Sequence, residues 1–284
     1  MKNTRIGSFV IITVHYLVSL LVGWLFYRFS SGLMHPYWAL FVADAAATVY
    51  IWILGLVYRN VSFYDPYWSV APPAILTLWA VAQGCYTTSV LLLLLAVWFW
   101  AIRLTYNWAV TFHGLDHEDW RYTQFRTQGH PFLFHLINFF GLNMVPTVVV
   151  FLGMLPAFGV IDIHASANIL TVLGCLLSIG AAVLQLVADT QSHRFRAAHP
   201  GKVCNVGVWK RGRHPNYLGE ILMWWGVWIM FFSLAGFSHQ AWFISGPLSV
   251  ALLFCTVSIP MMERRQLKSK PEYAQYRKQT RLFL

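Results

Sequence analysis

The residues most capable of chemistry gather in one stretch, Gly207-Val-Trp-Lys-Arg-Gly-Arg-His-Pro-Asn-Tyr-Leu-Gly-Glu220. Pro215 suits the first turn of a helix, where its missing N–H would have no partner in any case. The free N–H groups of a helix start make that end electropositive, and Arg211, Arg213 and His214 crowd the same point. Such an end is an anion site suited to a phosphate. Asn216 and Glu220 stand four residues apart and share a helix face. A carboxylate buried in so apolar a chain needs a donor, such as a ligand amide or an arginine. The plain alternative is that these arginines stop translocation and snorkel to lipid headgroups. That accounts for Arg211 and Arg213, and less well for Asn216, Glu220 and the proline.

A second constellation opens at Asn60-Val-Ser-Phe-Tyr-Asp-Pro-Tyr-Trp68. Asp65 precedes a proline, so it is biased away from helical backbone. With Tyr64, Tyr67 and Trp68 beside it, desolvation is expected to raise its pKa. A carboxylic acid kept neutral can donate a hydrogen bond to a carbonyl; a helix N-cap is the alternative role. Tyr106 lies in Arg103-Leu-Thr-Tyr-Asn-Trp108 and reads either as a catalytic hydroxyl or as an interfacial aromatic. His113 and His117 are four apart beside Asp116 and Glu118, but the remaining histidines are scattered, and no metal is expected. Asp44 interrupts an apolar run and is costly there unless satisfied. The tail from Glu263 to Arg277, with Tyr273 and Tyr276, reads either as a lid on a nucleotide or as a basic amphipathic segment on anionic lipid.

These groups need scaffolding, and the composition says of what kind. The chain has 284 residues, 58% hydrophobic and only 11% charged. A soluble domain carries about 25% charged residues. The balance excludes a secreted disulfide scaffold, a disordered chain and an ordinary cytosolic enzyme, and it points to a polytopic membrane protein. Four dispersed cysteines with no CxxC argue against zinc knuckles and redox pairs.

About 20 apolar residues cross a bilayer as a helix. Runs at 8–27, 36–58, 66–86, 88–112, 131–160 and 166–188 read as six spans, with kinks expected at Gly141, Pro146 and Pro156. The uncharged run from Ile221 to Met262 covers 42 residues and divides into two more at Gly236–His239. With eight spans, 18 of the 20 Lys and Arg residues fall on one side, the cytoplasmic one. The expectation is therefore an all-α polytopic membrane bundle of eight transmembrane helices with both termini cytoplasmic. The first run has no convincing A-x-A site and reads as a retained span. The excess of ten positive charges is explained by topology rather than by nucleic acid.

The Gly-x-Trp followed by Arg213-His-Pro-Asn-Tyr-Leu-Gly-Glu220 resembles the C-terminal signature of the steroid 5-alpha-reductase family, and is nearest to its bacterial members of undefined substrate. The likeness is most specific over residues 189–284. It implies a reductase-like membrane domain over 61–284, preceded by a two-helix segment over 1–60. It further implies an NADPH-dependent reductase of carbon–carbon double bonds in a hydrophobic, steroid-like or isoprenoid enone that enters from the bilayer. There is no Gly-x-Gly-x-x-Gly, so the cofactor would be held without a Rossmann fold. The likeness assigns Asn216 and Glu220 to the nicotinamide end, with Arg213, His214 and Tyr217 nearby. Asp189 matches a cofactor-contacting aspartate; Arg194 and Arg196 suit the phosphates, and Tyr276 would close the nucleotide site.

Asp65 and Tyr106 would then hydrogen-bond the substrate oxygen as enolate charge develops. Asp65 stands where animal members carry a glutamate, one methylene longer. The likeness implies a bacterial inner-membrane protein with its cofactor site on the cytoplasmic face. No obligate protein partner is evident in the sequence, and no nucleic acid is expected. The alternatives are an S-adenosylmethionine-dependent membrane methyltransferase of the isoprenylcysteine carboxyl methyltransferase type, and a non-enzymatic sterol- or lipid-binding protein.

Overall fold

A computed structural model describes residues 4–128, 130–237 and 241–284. Among these the chain is helical throughout, and its sole β-type pairing is one isolated bridge between Gly212 and Arg281. The helices are α1 (Arg5–Ser30), α2 (Pro36–Tyr58), α3 (Tyr67–Ala82), α4 (Thr88–Thr111), α5 (Trp120–Gln128) and α6 (Pro131–Leu136). They continue with α7 (Val145–Asp162), α8 (Ile169–Ala198), α9 (Pro215–Ala235), α10 (Ser245–Leu253), α11 (Ile259–Ser269) and α12 (Tyr273–Gln279).

Among the described residues, seven helical runs are long and apolar enough to cross a membrane: Arg5–Ser30, Pro36–Tyr58, Thr88–Thr111, Phe132–Asp162, Ile169–Ala198, Pro215–Ala235 and Trp242–Ser269. The chain is on this ground an integral membrane protein. The expected third span becomes α3, whose 16 residues rise about 24 Å at 1.5 Å each, short of the ~30 Å hydrocarbon thickness. Asp65-Pro66 delays its start, and the chain leaves the helix at Gly84, a residue at φ 61° that suits glycine. The break expected at Gly236–His239 begins at Gly236, where α9 ends at φ 61° and ψ −150°; residues 238–240 lie outside the described residues.

The kinks take a specific form. Ile137–Met144, which contains Gly141, is π-helical and stops just short of Pro146. Phe254–Ser258 is π-helical and stops just short of Pro260. A proline donates no N–H to the preceding turn and its ring crowds the carbonyl there, and a π-bulge makes room for it. In the first case the loosened turn is satisfied by Asn143, whose amide donates to the Asn138 carbonyl at 2.7 Å and to its Oδ1 at 2.9 Å. Pro156 sits within α7 with no π-helical turn beside it.

The chain forms two compact units that interleave along the sequence. The first holds Met1–Pro72 and Leu104–Phe151, the second Pro73–Arg103 and Leu152–Leu284. In the first, α1 packs against α2, and the Tyr16 hydroxyl donates to the Phe63 carbonyl at 2.7 Å. In the second, α8 and α9 run antiparallel along a seam of small residues. A Cβ at Gly174 would lie 2.7 Å from the Gly226 carbonyl, and one at Gly226 would lie 2.7 Å from the Gly174 carbonyl. Close backbone approach of this kind is how helices associate where burial of apolar surface gives no net drive. Asn168 caps α8 through a reciprocal box with Thr171.

Candidate functional site

In the second unit, three helices deliver polar groups to one buried cluster. From α4, Arg103 donates to Asp189 Oδ2 on α8 at 2.8 Å and also to Gln185 Oε1. From α9, the Asn216 amide donates to Asp189 Oδ1 at 3.4 Å. Glu220, one turn further on, is buried, and its carboxylate is held by two indoles. Trp100 Nε1 donates to Oε2 at 3.0 Å and Trp224 Nε1 to Oε1 at 3.1 Å. The expected donor to Glu220 was a ligand amide or an arginine; the hydrogen bonds come from tryptophans, with the Arg103 charge acting through space. The Arg103 side chain is only 4% exposed, and its Nε is buried with no partner among the described residues. An unsatisfied charged donor at such depth costs free energy unless something else meets it.

A second cluster in the same unit takes the other motif residues. Arg213 Nε donates to Glu263 Oε1 at 2.8 Å, and its Nη1 donates to the Arg277 and Thr280 carbonyls. His214 Nε2 lies 3.2 Å from Glu263 Oε1, and Arg277 Nε lies 3.0 Å from Oε2. The tail is stitched alongside, since the N–H groups of Arg213 and His214 donate to the Arg281 and Leu282 carbonyls at 2.9 and 3.2 Å. The Tyr276 hydroxyl donates to the Trp209 carbonyl. Tyr217 stacks on the His214 ring at 5.4 Å with 7° between planes. Burial lowers the His214 pKa, with the Glu263 carboxylate opposing. Arg213 is thus occupied by the protein itself. Arg194 and Arg196 are exposed at the end of α8, where Arg196 Nε donates to the Ser192 carbonyl at 3.2 Å.

In the first unit, Asp65 lies just before α3. The Tyr122 hydroxyl donates to its Oδ1, Arg121 Nη2 stands 3.8 Å away, and the Ser62 hydroxyl lies close enough to favour the carboxylate. Burial pushes the Asp65 pKa up to about 6, against the lowering effect of Arg121 and Tyr122. The Asp65 side chain remains 18% exposed. Tyr106 does not join it. It is 61% exposed on α4, nine residues after buried Val97, and at 100° per residue that places it half a turn from the buried face. Asp44 on α2 is buried and accepts from the Tyr67 hydroxyl at 2.8 Å, while Tyr64 and Thr48 both meet Thr147, at 2.7 and 2.9 Å. His113 and His117 pack ring to ring at 5.4 Å. Among the described residues no group of three or more His, Cys, Asp or Glu side chains is arranged to hold a metal ion.

Sequence reasoning named Arg103 only as the start of the Tyr106 motif and missed Gln185, Trp100, Trp224 and Tyr122. Gln185 carried a usable signal: it lies four residues before Asp189, on the same face of an apolar helix. Tyr122 carried none, because it lies 57 residues from Asp65.

Helices and buried charge together define a helical membrane protein with a built polar site. The family model described as "Protein of unknown function (DUF1295)" matches residues 51–280, and the chain belongs to that family. No match is found among curated proteins or among solved structures.

Proposed function

We propose that this chain is an integral-membrane, NADPH-dependent reductase of a carbon–carbon double bond in a hydrophobic, steroid-like or isoprenoid substrate. The observation that carries the reading is the buried cluster of Arg103, Gln185, Asp189, Asn216 and Glu220, with the Arg103 Nε unmet among the described residues. Ionisable groups inside a membrane segment are expensive and mark functional sites by default. The set offers two amides, two carboxylates and a cationic donor, which matches a nicotinamide carboxamide and ribose hydroxyls. Arg194 and Arg196, exposed beside it on α8, suit phosphates. NADPH, when bound, supplies a hydride. The chain supplies the proton: Asp65, with its pKa near neutrality, donates to the substrate as negative charge develops there. Tyr106, exposed on α4, keeps the interfacial role weighed for it. We further assign α3 as an eighth crossing, short as its 16-residue helix is, because eight spans place 18 of the 20 Lys and Arg residues on one face, with both termini and the cofactor site cytoplasmic.

One observation favours a second reading. Arg213, His214 and Glu263 are gathered into one network, as the methyltransferase alternative would use them with S-adenosylmethionine. Thermal unfolding of the full chain in detergent separates the readings. NADPH is expected to raise the melting temperature, and S-adenosylmethionine is not. The reverse pattern would replace the reductase with a methyltransferase. Stabilisation by sterols or polyprenols alone would leave a lipid-binding protein.

A further inference from the structure

Residues 113–122 form the most acidic stretch of the chain, yet most of their bonds to other segments run to one short stretch, the exceptions being those from the Leu115 N–H to Ser8 Oγ and from Arg126 to Glu118. The Asn60 amide donates to the Leu115 and His117 carbonyls at 2.9 and 3.1 Å. The Val61 N–H donates to Glu118 Oε1 at 2.9 Å, and the Asp119 N–H donates to Ser62 Oγ at 3.2 Å. Ser62 and Tyr122 then meet Asp65. Asp119 Oδ1 accepts from both the N–H and the Nε of Arg121, at 2.9 and 2.8 Å, which aims that guanidinium. Positions 60, 61, 62 and 65 are each met by a group from 115–122. A connection serving only to join α4 to α5 could leave these groups to water. The ion pairs in this convergence are part-exposed and add little stability. The geometric effect of the convergence is to fix one carboxyl. Tyr122 is itself buried, so of this hydroxyl and the carboxyl it meets, Asp65 is the one that keeps part of its surface open.

We infer that Tyr122, Arg121 and Ser62 are positioning residues for Asp65, and that segment 113–122 is the clamp that holds this carboxyl as the proton-exchanging group. The inference rests on the reductase reading only for the destination of the proton. In that reading the O–H bond of Asp65 breaks, the proton goes to substrate that has accepted a hydride, and the electron pair stays on the carboxylate. Tyr122 and Arg121 stabilise that anion until water returns a proton. The groups facing Asp65 are Arg121 and Tyr122 on α5, Asp119 ahead of it, Tyr16 on α1 and Tyr64 in the same turn. The tyrosines are neutral wherever a carboxyl titrates, so the two charges in play are Arg121 and Asp119, of opposite sign.

This predicts substitutions that act in opposite directions. The measurement is an infrared titration of the Asp65 carboxyl band on the full-length protein in detergent, with the band assigned by its loss in D65N. Y122F and R121Q each remove support for the anion and should move the midpoint up, R121Q by about one pH unit. D119N removes a repelling charge and frees Arg121, so it should move the midpoint down. A merely structural loop would lower melting temperatures without reversing the sign. Unmoved midpoints in folded R121Q and D119N would overturn the clamp. NADPH stabilisation is read on the same samples. Its absence in the wild type, with midpoints that still move, would sink the reductase reading and leave the clamp standing. Its presence with fixed midpoints would do the opposite.

Discussion

The two units solve the same problem, an acid held away from water, in different ways. In the second unit Asp189 is neutralised by a buried arginine and Glu220 is gripped by two indole N–H groups. Every partner there lies on a long apolar helix. In the first unit Asp65 keeps part of its surface open and leans on a hydroxyl, a half-exposed arginine and a loop. The first arrangement fixes charges and suits binding. The second leaves a carboxyl poised to change its charge and suits proton exchange. If that contrast is right, substitutions in the two places should differ in size and in pH dependence.

The largest effect belongs to the buried pair. Arg103→Met leaves the Asp189 carboxylate with the long Asn216 bond and the weaker influence of His193 and Arg196. Removing one partner of a buried ion pair costs about 3–5 kcal/mol, because an uncompensated charge remains. The double variant Arg103→Met/Asp189→Leu removes both charges and should recover most of that stability while still losing NADPH stabilisation. Thermal unfolding of the three proteins, with and without NADPH, reads both. A single variant as stable as the wild type would show that Asp189 is not held by charge, and the contrast between the units would fail.

The next effect is tied to pH. The Asp65 carboxyl titrates near 3.8 in an unfolded chain and at about 6 when folded. The folded state therefore prefers the protonated form. Its contribution to stability is fully present below about pH 4, declines as pH rises to about 6, and is flat beyond. A displacement of about two pH units corresponds to about 3 kcal/mol at most, at 1.36 kcal/mol per unit. Asp65→Asn cannot ionise, so its melting temperature should lack this decline between pH 4 and 6. It should also lose turnover while keeping NADPH stabilisation. Parallel pH profiles for the two proteins would remove Asp65 as a titrating centre.

The same contrast explains what could be read from the sequence. The membrane helices were legible because length and apolar composition are local properties. Asn216 and Glu220 were legible because i, i+4 spacing on one helix is local too. Arg103 showed itself as a lone charge in an apolar run, but its partner lies 86 residues on, and no spacing rule spans that distance. Tyr106 illustrates the converse. It sits in a suggestive short motif, yet helical phase turns it to the exposed face. Tyr122, which does reach Asp65, lies in a polar stretch whose fold is set by the segment it grips. Neither π-helical segment was legible as such, although the prolines that follow them, Pro146 and Pro260, were in plain view.

The smallest expected effect tests whether the clamp acts through charge or through shape. Glu118 sits at its edge. One carboxylate oxygen accepts the Val61 N–H at 2.9 Å and also pairs with Arg126 at 2.7 Å. Arg126 is 40% exposed, so the pair is worth no more than about 1 kcal/mol, and the guanidinium keeps its place over the Phe134 ring at 4.7 Å. Glu118→Gln retains a carbonyl oxygen for Val61 and loses only the charge. Its melting temperature should barely change, and the Asp65 midpoint should stay where it is, because the charges that tune Asp65 are those of Arg121 and Asp119. Glu118→Ala also strands the Val61 N–H and should cost about 1 kcal/mol more. A moved midpoint in Glu118→Gln would mean that the whole acidic stretch acts as one field, and the assignment of separate roles within it would have to be withdrawn.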